Sequence, residues 1–158
     1  MSPPIHPSPL SESEQQKHGA TVKKKFLKQT PALASLIRDV QFAVKEKGNL
    51  RGLDGRILNS RSIHSALNLL LQSAGAVVMK KATCILWEDL AAAGFKYGVD
   101  VAQVLHIHDE YQLYVRKGIE EQVGAIAVNA IRKAGEYFKF RCPLDGEYKV
   151  GANWKETH

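Results

Sequence analysis

The chain has 158 residues, of which 44% are hydrophobic and 24% charged, and a net charge of +6. That is apolar enough for one core and too apolar for a wholly disordered chain, while no uninterrupted apolar run reaches the roughly 20 residues of a membrane span. The positive excess lies at the front: residues 1–61 hold 11 Lys or Arg against 5 Asp or Glu, and residues 62–158 hold 11 of each.

Pro3, Pro4, Pro7 and Pro9 stand among serines, without an apolar segment of signal-peptide length, so residues 1–18 are expected to form a disordered extension ahead of one domain over 19–158. Cys84 and Cys142 show no metal-ligand spacing, which suits a reducing compartment and predicts a cytoplasmic protein with no membrane partner. A first helix is expected over His18 to Gln29. It stops before Thr30-Pro31, where threonine suits an N-cap and proline a first helical turn. Leu33, Leu36, Ile37, Val40 and Val44 repeat at helical spacing, with Gly48 as the stop. Asp54-Gly55 between Leu50 and Ile57 predicts a hairpin with a two-residue loop. From about Ser62 to Ala93 the pattern is a long helix with Leu67, Leu71, Ala74 and Val78 on one face, ended by Gly94. Val104 to His108 and Tyr111 to Val115 have strand composition, and the two residues between them are the length of a tight turn. A last helix carries Ile119, Val123, Ile126, Ala127, Ala130, Ile131 and Ala134, with Glu120 and Glu121 at its start and Arg132 and Lys133 toward its end.

Four constellations carry possible chemistry. Asp109 and Glu110 fall at the expected hairpin tip, where successive carboxylates can converge on one hard cation such as Mg²⁺; a solvated acidic turn is the plain alternative. His106 and His108 make a His-x-His pair, a spacing that binds Zn²⁺ or iron in some proteins and is packing or solvent-facing in others. His64, Asn68 and Gln72 stand four residues apart, as a polar stripe beside the leucine face of the long helix. Lys23, Lys24, Lys25 and Lys28 beside Phe26 suit either a phosphate-facing surface or a solvated helix face.

Ile107-His108-Asp109-Glu110 followed by alternating apolar residues resembles motif C of the family A DNA polymerases, the group of bacterial DNA polymerase I and the short-tailed phage replicases. The run from His64 to Ala76 resembles that family's helix ahead of motif C, Gly52-Leu53-Asp54-Gly55-Arg56 the hairpin leading into it, and Gly151 to His158 the C-terminus of the phage members. The resemblance runs from about Gly19 to His158. It implies an α+β fold, helices packed on a small antiparallel sheet, as the C-terminal part of a right-hand polymerase palm. It implies template-directed DNA synthesis by a two-metal Mg²⁺ site, with primer-template DNA and deoxynucleoside triphosphates as partners. In that reading Asp109 is a metal ligand and catalytic, Glu110 a secondary acid and His108 a contact to the primer end. Asn68 and Gln72 contact the minor groove and sugar-phosphate, His64 stands where bacterial relatives have arginine, and Arg56, Lys23, Lys24 and Lys25 face DNA.

The family's earlier palm aspartate and its triphosphate-gripping arginine, lysine and tyrosine are not found ahead of Gly19. Only half of the metal site is therefore expected here, with the rest on a separate N-terminal polymerase chain, and the chain alone is expected to be inactive. Two other classes stand beside this one. One is a non-catalytic DNA-binding remnant using the basic first third; the other is a metal-dependent hydrolase using His106, His108, Asp109 and Glu110.

Overall fold

Ser11 and Glu14 set the start of the first helix: the Glu14 carboxylate accepts the Ser11 backbone N–H at 2.9 Å and its hydroxyl at 2.6 Å. These contacts fix the chain at a helix N-terminus and hold the Glu14 carboxyl below its ordinary range. Helix α1 accordingly spans Glu12–Gln29, six residues earlier than the hydrophobic pattern indicates. The computed structural model describes residues 11–157. Of the extension expected over 1–18, residues 1–10 lie outside the described residues, and Glu12 to His18 belong to α1.

Pro31 opens α2 (Pro31–Lys47), and Gly48 closes it in the left-handed conformation at φ 72°. Val40 and Val44 are buried as the spacing predicts, whereas Leu36 is exposed. Strands β1 (Asn49–Arg51) and β2 (Ile57–Asn59) form a two-stranded sheet. Their connection is longer than the expected two residues. It turns at Gly52 to Gly55, where the Gly55 N–H donates to the Gly52 carbonyl at 3.0 Å, and Asp54-Gly55 is only the second half of the bend.

Helix α3 runs over Ala66–Ala92, β3 over Val101–Ile107, β4 over Glu110–Val115, α4 over Glu120–Tyr137, and a single turn, α5, over Trp154–Thr157. The fold is α+β, with helices and small antiparallel sheets as expected. The residues divide into two compact units, one running to Leu50 and resuming over Asn59–Leu67, the other comprising Arg51–Leu58 and the chain from Asn68 onward.

In the second unit, α3 is the central element. Val78, Ala82, Ile85, Leu86 and Leu90 join Val101 of β3 and Val123, Ala130 and Ala134 of α4 in one buried cluster. Tyr111, Leu113 and Val115 pack against it from β4. α3 is long and apolar enough by length and composition to cross a membrane, but Lys80 and Lys81 interrupt it and its apolar side lines this core. Leu71, expected on the core face, is 57% exposed; after Ala66, the next buried residue of α3 is Val77. The α4 stripe falls as predicted, and the helix continues past Arg132 and Lys133, which are held by Asp145 and Asp89 rather than by the helix end.

Leu144, Gly146 and Tyr148 lie against α4. A Cβ on Gly124 would stand 2.6 Å from Cγ of Tyr148, so only glycine leaves room for that ring, whose hydroxyl donates to Glu121 at 2.5 Å.

Candidate active site

β3 and β4 pair antiparallel, with Ile107 opposite Glu110, His106 opposite Tyr111 and Val101 opposite Val115. The loop does hold two residues. They are His108 and Asp109, one position earlier than strand composition indicates, so Glu110 is the first residue of β4. His108 takes φ 47°, a left-handed conformation that costs a non-glycine residue energy and that tight hairpins demand. Composition alone does not show this: His108 reads as a strand residue until the turn requires a positive φ.

An irregularity between Gln103 and Leu105 shifts the register and sets the faces of the hairpin. Past it, His106 shares a face with Tyr111, whose ring it meets edge-on at 5.2 Å between centroids. The Tyr111 hydroxyl donates to the Met79 carbonyl of α3 at 2.8 Å, and burial raises its pKa and keeps it a donor. The hairpin is thereby anchored to the long helix through a residue that sequence reading treats as mere strand filling. Ile107, Glu110, Gln112 and Tyr114 occupy the other face by alternation, and the Gln112 amide donates to the Glu110 carboxylate. That pairing was legible in the i, i+2 spacing of Glu110 and Gln112.

Asp109 is exposed at the tip, and among the described residues no hydrogen bond or ion pair engages its side chain. Its free carboxylate, followed directly by that of Glu110, provides the oxygen donors that Mg²⁺ prefers. The fit is partial. Among the described residues no three His, Cys, Asp or Glu side chains gather as a metal site. The same fact, with His106 turned onto Tyr111, counts against a self-contained hydrolase centre.

Asn68 and Gln72 are exposed, one turn apart on the first part of α3. His64 is exposed in the turn ahead of α3, not within the helix as the periodicity predicts. Ser62 accounts for the later start: its hydroxyl accepts the Ser65 N–H at 3.2 Å and holds residues 62–65 as a turn. Arg56 is engaged by Asp54, with Nη2 2.6 Å from Oδ2. The pairing holds the Asp54 carboxyl below and the Arg56 guanidinium above their ordinary pKa values. Lys23, Lys24 and Lys25 are consecutive on α1 and exposed, so each points about 100° away from the next.

Residues 11–156 match the sequence model of DNA polymerase family A. The chain is 41% identical to the DNA-directed DNA polymerase of Enterobacteria phage T3 and 38% identical to that of Escherichia phage T7, in both cases over 90% of this chain and 23% of the relative. DNA polymerase I of Aquifex aeolicus is 27% identical over 84% of this chain and 23% of that protein. Among solved structures, the POL domain of Pol1 from M. smegmatis, in complex with DNA primer-template and dNTP, matches with a TM-score of 0.65 at 20% identity. That match covers 77% of this chain and 24% of the other. The chain thus spans about a quarter of the length of the relatives it matches. With nearly its whole described length inside the family match and the Asp109-Glu110 hairpin formed, the chain belongs to the family A DNA polymerases.

Proposed function

We propose that this chain supplies part of the nucleotidyl-transfer site of a DNA polymerase, with Asp109 as a Mg²⁺ ligand and Glu110 as the supporting acid. The observation that carries this reading is the hairpin tip, where a family A chain offers an exposed carboxylate that no other described group engages. Bound divalent ions would stabilise charge on the attacking and leaving oxygens. In the reaction, the primer 3′ oxygen bonds to the α-phosphorus of an incoming deoxynucleoside triphosphate. The bond from that phosphorus to the bridging oxygen breaks, pyrophosphate leaves, and the hydroxyl proton passes to water.

The chain's own residues bind and orient. His108 contacts the primer end, and the Asn68 and Gln72 amides donate to the N3 and O2 acceptors that every correct base pair shows in the minor groove. Such contacts report pair geometry without reading sequence. His64, Arg56 and the α1 lysines face sugar and phosphate. The partners are primer-template DNA and deoxynucleoside triphosphates, in the cytoplasm of a host cell. Because the described residues gather no three-ligand metal site, the remaining carboxylate comes from outside them, on a polypeptide carrying the rest of the polymerase.

Primer extension by the full chain mixed with the other three quarters of the phage T3 polymerase tests the reading. The mixture should extend a primer where neither part does alone, and Asp109→Ala should lower that activity by about 10²-fold or more. Equal extension by the wild-type and Asp109→Ala mixtures would reject the assignment.

A further inference from the structure

We propose that α1 presents Lys17, Lys24 and Lys28 as a track for the phosphate backbone of duplex DNA. The proposal rests on the DNA-binding reading above and replaces a run of neighbouring lysines with one face of a helix. At about 100° per residue, Lys17, Lys24 and Lys28 fall within about 40° of one another, whereas Lys23 lies about 100° beyond the edge of that stripe. Lys17 is in register only because α1 starts at Glu12. Along the axis the three stand about 10 Å and about 6 Å apart, and their flexible four-carbon stems let the ammonium groups reach neighbouring phosphates.

The face is available. No residue of α1 is buried, and the four ion pairs among the described residues, Arg56–Asp54, Arg116–Asp100, Arg132–Asp145 and Lys133–Asp89, leave all three lysines out. The nearest acid on this side, Glu14, is held at the helix start by Ser11. Thr21, between Lys17 and Lys24, donates its hydroxyl back to the Lys17 carbonyl at 2.9 Å, so the lysines alone define the stripe. Val22 and Phe26 lie on the opposite side of the helix. The charge has the sign that phosphates require, and it continues the cationic excess of residues 1–61.

The test is fluorescence anisotropy of a short labelled DNA duplex with the full chain over a salt series. Three proteins are compared: wild type, Lys17→Ala/Lys24→Ala/Lys28→Ala, and the charge-matched Lys45→Ala/Lys47→Ala/Lys117→Ala, whose three lysines are exposed and lie off α1. Circular dichroism checks that α1 is retained, as alanine in an exposed helix should ensure. Each lost phosphate contact removes about 0.9 from the slope of log affinity against log salt, so the stripe variant should lose about 2 to 3 and the control little. Restoring the charges as arginine should restore the slope. Equal losses in the two triple variants, or none in the stripe variant, would overturn the track. In those cases retained binding that Asn68→Ala/Gln72→Ala weakens would leave the broader DNA-binding reading standing. Absence of DNA binding by wild type at low salt would overturn both, and binding only to phosphatidylserine vesicles would assign the stripe to anionic membrane instead.

Discussion

His108 carries a cost that the hairpin imposes. A non-glycine residue at φ 47° forfeits about 1–2 kcal/mol relative to right-handed conformations, and a β-branched one more, since its Cβ substituents crowd the backbone. His108→Val should therefore lower the melting temperature of the chain, while His108→Gly should hold or raise it; thermal unfolding by circular dichroism checks this, and the reverse order would contradict the turn. The neighbouring carboxylates differ for a related reason. Asp109 sits in the turn with its side chain uncommitted, while Glu110 enters β4 and is bound by Gln112. In the proposed site Glu110→Gln should thus cost less activity than Asp109→Ala. Residue types were legible here: adjacent acids after a histidine mark the tip. Their exact seats were not, because the strand propensities of Val104 to His108 carry no information on which residue must adopt a positive φ.

At the scale of elements, the far end of the hairpin is fixed by Asp100. Its carboxylate accepts the Lys96 backbone N–H at 2.8 Å and the Arg116 guanidinium at 2.8 Å, and these bonds hold its pKa below the ordinary carboxylate range. The sign follows: the folded chain keeps this group ionised at a pH where the unfolded chain binds a proton. The stability it contributes is complete above the unfolded value of about 3.9 and is lost as pH falls through the folded value. Asp100→Asn should flatten the acid side of a stability–pH curve measured by urea unfolding, and an unchanged curve would remove Asp100 from this role. The helices α2 and α4 were legible because their apolar spacing is strict and their ends are marked by Pro31, Gly48 and Glu120. The starts of α1 and α3 were not, since both are set by serine side chains, Ser11 and Ser62, that hydrophobic periodicity does not count. The irregularity beyond Gln103, which turns His106 onto Tyr111, is likewise invisible to a period-two pattern.

On the scale of the molecule, the chain forms a well-packed cluster around α3 and also exposes large apolar side chains. Val104, Leu105, Ile107 and Tyr114 are exposed on the hairpin, and among the described residues no third strand joins its two, whose one further pairing is a single bridge from Val101 to Tyr97 at its base. Open strand edges beside apolar side chains favour association. Sedimentation velocity over a dilution series should show concentration-dependent self-association, and a monomer at every concentration would contradict this. The central claim, that Asp109 at this hairpin serves template-directed synthesis, is tested most directly in a single polypeptide that removes the need for docking. Let this chain replace the matching quarter of the phage T3 polymerase, to which it is 41% identical, and let primer extension be followed with Mg²⁺. The chimera should extend the primer and lose about 10²-fold or more of that activity on Asp109→Ala, with DNA affinity retained; equal extension without the Asp109 carboxylate would refute the assignment.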